Sequence, residues 1–160
     1  MKTKVLDRIQ EIKKNLNLNS LSIKIDGSNL GELGIDLAND LSALISDISS
    51  SHALKWCLST IKKSKVFLKI YWANEKGKTI YKEEIAKQLP EYSYKTIATI
   101  VDEGIEKGFY IELDPHGKKV SDKKIKNIRP SLQVITDFYN WNIARVSRIE
   151  KIIQKYKSSI

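Results

Sequence analysis

Hydroxyl and amine side chains gather in one short stretch of the chain, at the start of a predicted helix. The five residues are Ser93, Tyr94, Lys95, Thr96 and Thr99. Hydroxyl groups donate and accept hydrogen bonds and a lysine ammonium donates them, so this set suits recognition of a polar, anionic partner. In the first turns of a helix, such side chains can reach base edges in a nucleic-acid groove. An ordinary amphipathic helix with a solvated face is the alternative interpretation.

A second cationic group follows in the sequence, after the turn cluster Asp-Pro-His-Gly. It consists of His116, Lys118, Lys119, Lys123 and Lys124. Lysines crowded in this way repel one another unless an anion is near, and phosphate is the simplest such anion. An edge strand protected from aggregation by lysine is the alternative for the whole group. His116 itself is either a phosphate contact or a plain turn residue.

Groups that attack bonds or bind metals are scarce. Cys57 is the only cysteine, which excludes an intramolecular disulfide and a cysteine metal cluster. Its apolar surroundings predict a buried residue, with a redox-sensing thiol as the alternative. His52 and His116 have no companions at ligand spacing, and the HExxH, CxxC and GxSxG motifs are missing. The sequence therefore predicts no enzyme activity, no cofactor and no metal. Three aspartates in one helical region are predicted to be solvated rather than a metal site: Asp36, Asp40 and Asp47.

Local signals predict the order helix, turn, helix, strand, basic loop, strand for the middle of the chain. Pro90 disfavours the helical conformation in the residue before it, so the first helix should end there. Ser93 is predicted to cap the second helix, which runs to about Lys107 and is followed by Gly108. The alternation in residues 109–113 predicts a strand, and Ile125 and Ile128 are the apolar positions of the returning strand.

Further helices are predicted on both sides of this segment from apolar residues at helical spacing. They cover Val5 to Leu16, Gly34 or Ile35 to Ile48, Ala53 to Ile61, Val66 to Ala73, and a long helix from Leu132 to Ile153 that Pro130 introduces. Residues 49–51 interrupt the second of these runs. Residues 62–65 are predicted to be the boundary between the third and the fourth. Both terminal stripes are too apolar to be left in water, which predicts a partner surface.

The residues of the middle segment resemble the MarR-type winged-helix regulators. The stretch VDEGIEKGFYIELD resembles the exit of that family's recognition helix into its first wing strand. Asp122-Lys123-Lys124, followed by Ile128, Pro130 and Ser131, is similar to the family's Asp-x-Arg wing motif and the start of its next helix. The resemblance covers residues 66–155 and is strongest over residues 85–131. It implies a mainly α fold with a small β-hairpin wing, and dimerisation through the terminal helices.

Three positions depart from the family pattern. Lys124 stands where arginine is usual, Gly104 stands for a bulky apolar residue, and Glu103 stands for a basic one. Glycine costs about 1 kcal/mol of helix propensity, and Glu103 would place an acid on the face that the resemblance assigns to DNA.

The positive charge is distributed unevenly along the chain. The net charge is +9; residues 1–61 carry 7 basic and 7 acidic side chains, whereas residues 62–130 carry 16 basic and 10 acidic ones. We therefore expect one compact domain with an N-terminal helical dimerisation region (1–61), a winged helix-turn-helix DNA-binding region (62–130) and a C-terminal dimerisation helix (131–160). The N-terminus has no apolar signal-peptide core and no run reaches membrane-spanning length, which predicts a cytoplasmic protein without a membrane partner.

The prediction that follows is a homodimeric, sequence-specific double-stranded DNA-binding transcriptional regulator. The helix of residues 93–107 would enter the major groove, and the wing of residues 118–124 would lie on the backbone or the minor groove. One alternative is a winged-helix module that docks an acidic protein partner, and another is an RNA-binding or nucleic-acid-processing accessory subunit. A small-molecule effector also stays open, because Trp56, Trp72 and Trp141 could line a pocket between helices instead of lying in the core or an interface.

Overall fold

The computed structural model describes residues 11, 14–15, 29–113 and 126–157 of the 160-residue chain. The elements are α1 (Leu30–Ser50), α2 (His52–Cys57), α3 (Ile61–Glu75), α4 (Lys82–Gln88), α5 (Tyr94–Glu106), β1 (Tyr110–Leu113), β2 (Asn127–Pro130) and α6 (Leu132–Tyr156). Ahead of them, Glu11, Lys14 and Asn15 are helical. The predicted class, mainly helical with one small antiparallel strand pair, is confirmed.

The chain divides into two compact units. One contains residues 48–140, and the other contains residues 1–47 together with 141–160. The predicted wing residues lie at 114–125 and the predicted first helix lies at 5–16, so both fall outside the described residues, apart from the isolated positions 11 and 14–15.

The core of the 48–140 unit forms where α3, α4 and α5 meet. Val66, Phe67 and Ile70 of α3 are fully buried, as are Ile85 of α4 and Ile97 of α5. The buried positions of α5 continue at helical spacing through residues 100, 101 and 104, which leaves its other face outside the core. Burying each Ile or Val contributes about 1.5–3 kcal/mol, so this apolar stripe fixes how α5 is oriented.

The end of α4 and both ends of α5 lie where the sequence predicts. The α4 helix ends at Gln88, ahead of Pro90. The Ser93 hydroxyl accepts a hydrogen bond of 3.1 Å from the backbone N–H of Thr96 and starts α5. At the other end, Gly108 has φ of +74°, and the N–H of Phe109 reaches the Gly104 carbonyl at 2.8 Å. This is the Schellman arrangement, in which a glycine takes the left-handed position.

The two strands pair antiparallel, with Tyr110 opposite Pro130 and Leu113 opposite Asn127. Ile128 is 2 % exposed, as predicted for an apolar position of this strand, but the adjacent Asn127 is buried too, so β2 does not alternate. The strand β2 is also joined to Ile80, whose N–H donates to the Asn127 side chain and whose carbonyl accepts from the Ile128 N–H, each at 2.9 Å. These bonds fix the base of the strand pair beside the start of α4.

The boundary between α2 and α3 differs from the prediction. The predicted helix over 53–61 and boundary at 62–65 are wrong, because α2 ends at Cys57 and α3 begins at Ile61. The Thr60 hydroxyl accepts from the Lys63 N–H at 3.1 Å and caps α3. Lys62 and Lys63 therefore lie in the first turn of a 15-residue helix rather than in a linker.

Ion pairs join α1 to α6 in the other unit. Arg148 donates to Asp40 at 2.8 Å and to Asp47 at 2.9 Å, and Lys155 donates to Asp36 at 2.9 Å. Asp40 is only 6 % exposed, so the prediction of a solvated aspartate is wrong there. Its partner Arg148 lies 108 residues away in sequence, which explains why local spacing could not reveal the pair.

The same two helices leave apolar side chains in solvent. Leu37 and Leu41 of α1 are 46 % and 55 % exposed, and Ile143 and Val146 of α6 are 63 % and 64 % exposed. Leu37 and Leu41 are four residues apart and Ile143 and Val146 three, so each pair shares one helix face. In the described part of the chain, none of the helices is both long enough and apolar enough to cross a membrane.

Candidate nucleic-acid interface

The first turns of α3 and α5 line a cleft of about 350 Å³, which we call the basic cleft. Its lining residues are Thr60, Lys62, Lys63, Lys95, Thr96, Thr99 and Ile100. Three lysines and three threonines thus surround one small volume. Since the N-terminal end of a helix carries a partial positive charge, the two helix ends add to the charge of the lysines.

The apolar stripe of α5 determines which of its side chains reach the cleft. With Ile97 and Ile100 buried, Lys95 and Thr99 are left exposed and Thr96 is half-buried. The Thr99 hydroxyl donates to the Lys95 carbonyl at 2.9 Å, which keeps it on the helix surface. Three of the five predicted recognition-helix residues therefore lie together in the cleft.

The other two predicted residues have different positions. The Ser93 hydroxyl lies 2.9 Å from the Thr96 hydroxyl in addition to capping the helix, so it is occupied locally. Tyr94 is half exposed, and its hydroxyl donates to Glu83 of α4 at 3.2 Å. Partial burial, and then the neighbouring carboxylate of Glu83, raise the pKa of Tyr94. Neither Ser93 nor Tyr94 lines the cleft, although both lie at the N-terminal end of α5.

Glu103, the acid that the family pattern does not contain, is engaged from two sides. It accepts a hydrogen bond of 2.7 Å from the indole N–H of Trp56, and the Lys63 ammonium lies 3.4 Å from the same oxygen. These contacts, the Trp56 bond first, lower the pKa of Glu103. Lys63 also lies 4.3 Å from the centre of the Trp56 ring. The negative charge of Glu103 is thus largely compensated by Lys63.

Lys62 and Lys95 supply the remaining positive charge of the cleft. Among the residues that the structure describes, no acid forms an ion pair with either ammonium group; Lys62 lies 5.9 Å from the centre of the Tyr92 ring. Two uncompensated ammonium groups beside threonine hydroxyls suit a phosphate group, which accepts both charged and neutral hydrogen bonds. The cleft is therefore a candidate anion-binding surface by composition and by charge.

Sequence reasoning missed the α3 side of this cleft, namely Thr60, Lys62 and Lys63. The signal was Thr60 itself, since threonine is one of the preferred residues at a helix N-cap. The apolar residues at helical spacing over 53–61 concealed it. The predicted wing residues, His116, Lys118, Lys119, Lys123 and Lys124, lie outside the described residues. Where β1 and β2 border this segment, Lys126 and Glu112 form an ion pair at 2.6 Å.

Cys57 and the tryptophans have distinct environments. Cys57 is fully buried, as predicted, and burial raises the pKa of its thiol to about 12. Trp56 packs against the core, whereas Trp72 is half exposed and so is not a core residue. Trp141 donates to the Leu44 carbonyl at 3.3 Å. Over the described residues, no group of His, Cys, Asp or Glu side chains is arranged to hold a metal ion.

Comparison with known proteins finds no matching family model, no significantly similar curated protein and no significantly similar solved structure.

Proposed function

We propose that this protein binds double-stranded DNA through a winged helix-turn-helix and acts as a cytoplasmic, sequence-specific transcriptional regulator. The observation that carries the proposal is the basic cleft, where Lys62 and Lys95 lie beside threonine hydroxyls at two helix N-termini and form no ion pair with an acid of the described residues. The resemblance of residues 85–131 to MarR-type regulators supports the same function. The proposed role is binding, without catalysis or a cofactor.

The proposed docking places α5 in the major groove. An α-helix with its side chains is about 10–12 Å wide and the groove is about 12 Å wide, so one helix fits. Lys95 and Thr99, exposed near the start of α5, would face base edges. Lys62, in the first turn of α3, would face the phosphates beside the groove, where a lysine acts as a point charge. The lysine-rich segment 118–124 would contact the backbone or the minor groove.

We further propose a homodimer formed by the helices of the terminal unit. Leu37, Leu41, Ile143 and Val146 expose large apolar side chains on two helices, a surface that a second copy would cover. Two linked reading helices would then contact two half-sites about one helical turn apart. Because the second contact becomes intramolecular, the dimer gains affinity without any new type of contact.

The decisive experiment is fluorescence anisotropy on duplex DNA at several salt concentrations, with a random duplex and one selected from the source genome. We expect Lys62→Ala to weaken binding to both duplexes by similar factors and to reduce the salt slope by about one unit. Lys95→Ala should weaken the selected duplex more, since a good base contact contributes about 1–3 kcal/mol of discrimination. Lys87→Ala, on the exposed side of α4, is the matched charge control and should change neither quantity.

Two outcomes would contradict the proposal. If the protein has no measurable affinity for duplex DNA at low salt, the basic cleft does not bind nucleic-acid phosphate. If it binds RNA or single strands as tightly as duplex, α5 does not read a major groove and the RNA-binding alternative is favoured.

A further inference from the structure

A second depression of the 48–140 unit lies between α3 and the end of α4, and we call it the Trp72 groove. It has a volume of about 660 Å³ and is lined by Lys65, Leu68, Lys69, Trp72, Gln88 and Leu89. None of these residues belongs to the basic cleft. The groove is therefore a separate surface of the same unit.

The α3 side of the groove is one continuous helix face. Lys65, Leu68, Lys69 and Trp72 follow the spacing i, i+3, i+4 and i+7, which places them in a single stripe about 10 Å long. Leu68 is 48 % exposed and Trp72 is 49 % exposed, whereas Leu89 at the floor is buried. Two large apolar side chains thus stand side by side in solvent over a buried floor, an arrangement typical of a contact surface.

Lysines surround this apolar centre. Lys65 pairs with Glu91 at 2.6 Å, and Lys78 lies 5.2 Å from the centre of the Trp72 ring. No acid forms an ion pair with Lys69 among the described residues, but the pKa of Glu91 is lowered first by its hydrogen bond to Lys65 and also by the charge of Lys69. On α4, Glu84 accepts from the groove residue Gln88 at 3.1 Å. Lys65, Lys69 and Lys78 therefore outnumber Glu84 and Glu91, so the groove is net positive and would attract an anionic occupant that also carries apolar groups.

From this combination we infer that the Trp72 groove binds an acidic, amphipathic peptide segment of a partner protein. Its leucine or aromatic side chains would cover Leu68 and Trp72, and its carboxylates would pair with Lys69 and Lys78. This is the helix-in-groove mode, in which a few anchors at i and i+4 provide most of the affinity. The inference does not depend on DNA binding, because it uses no residue of the basic cleft.

Charge argues against the other occupants. A second copy that paired through the same face would bring Lys69 and Lys78 against their own equivalents, and like charges in contact are unfavourable. The segments 1–28 and 114–125 of this chain each carry more Lys and Arg than Asp and Glu, so they do not complement the groove either. Duplex DNA would match the lysines but would leave Leu68 and Trp72 without apolar contacts.

The test uses a fluorescein-labelled peptide of about 15 residues, a length at which isolated helices become marginally stable. In this peptide, Leu and Phe residues are spaced to share one helix face, and Glu residues occupy positions between them. A scrambled peptide of the same composition is the control. We expect saturable binding of the first peptide to the full-length protein, weakened by salt, and weaker binding of the scrambled one. Trp72→Ala should raise the Kd about tenfold, as loss of a central aromatic anchor does. Lys69→Glu should raise it further, whereas Lys107→Glu, at the exposed end of α5, should leave it unchanged.

Circular dichroism and duplex binding separate this inference from the DNA-binding proposal. Trp72→Ala should keep the helical signal and the duplex affinity of the unaltered protein, whereas its affinity for the peptide should fall. Equal binding of the two peptides, or unchanged peptide binding by both Trp72→Ala and Lys69→Glu, would overturn the inference. Tighter binding of an oligo-dT strand than of the peptide, lost in Trp72→Ala, would also overturn it, because the groove would then be a stacking site for single strands.

Discussion

Gly104 lies in α5 directly against an aromatic ring, and this position makes a sharp prediction about the Gly104→Ala variant. A Cβ at this position would collide with Cδ2 of Tyr110, would lie 2.5 Å from its Cε2 and would lie 3.2 Å from Cη2 of Trp56. Tyr110 is 1 % exposed, so its ring cannot move into solvent. The space that Gly104 leaves is already occupied.

Two opposing contributions determine the outcome. Replacing glycine by alanine inside a helix stabilises it by about 0.5–1 kcal/mol. Forcing an extra methyl group into a filled core costs about 1–3 kcal/mol. Because the contacts involve a fully buried ring, we expect the cost to exceed the gain, with a net loss of about 1–2 kcal/mol in the free energy of unfolding.

Urea denaturation followed by circular dichroism measures this loss, and Gly34→Ala is the matched control. Gly34 is also inside a helix, but nothing lies within 4 Å of a Cβ built there. Gly34→Ala should therefore stabilise the protein by about 0.5–1 kcal/mol, the opposite sign for the same substitution. In a Tyr110→Ala background, Gly104→Ala should lose its penalty, since the two sites are in contact. A Gly104→Ala variant as stable as Gly34→Ala would refute the reasoning.

Four further predictions concern DNA binding, acid unfolding, assembly and the thiol. Glu103→Gln should tighten binding to random duplex and steepen its salt dependence, measured by anisotropy, because Lys63 is released to a phosphate. Folding lowers the pKa of Glu103, so its charged form stabilises the protein above pH 4.5, and this stabilisation is lost as the pH falls through the pKa of the folded state. The free energy of unfolding of Glu103→Gln, followed by circular dichroism, should therefore fall less over this pH range than that of the unaltered protein. Replacing both Leu37 and Leu41 by Glu should convert a dimer into a monomer in analytical ultracentrifugation; a monomeric unaltered protein at tens of micromolar would contradict the dimer. Cys57, whose thiol pKa is about 12, should react with a thiol reagent only on unfolding, and rapid reaction of the folded protein would argue against its burial.

The middle of the fold could be predicted because its signals are local. Ser93 caps its helix through an N–H three residues away, and Gly108 ends it through adjacent bonds. Such contacts are encoded within a few residues, so spacing and residue type are sufficient to find them. The burial of Ile128 follows from its apolar side chain, whereas that of the adjacent Asn127 depends on its bond to Ile80, 47 residues away.

The features that could not be predicted depend on distant partners. The burial of Asp40 requires Arg148, and the basic cleft requires α3 and α5 to bring Lys62 beside Lys95. Periodicity assigns a residue to a helix face but does not say which element that face will meet. The exposure of Trp72 shows the converse, since large apolar residues are usually placed in a core on composition alone.

Glu103 and Gly104, the two departures from the family pattern within α5, have a common structural cause in Trp56. The indole N–H of Trp56 donates to Glu103. The Trp56 ring also packs against Gly104, and its centre lies 5.9 Å from the centre of the Tyr110 ring. A hydrogen-bond acceptor such as the Glu103 carboxylate is needed at 103 for the indole N–H, and the absence of a side chain at 104 lets Trp56 and Tyr110 approach the helix. A basic residue at 103 would place a donor against the indole N–H, and a bulky residue at 104 would displace both rings. Residues 103 and 104 therefore act together, because both let Trp56 attach α2 to α5, the helix that lines the basic cleft.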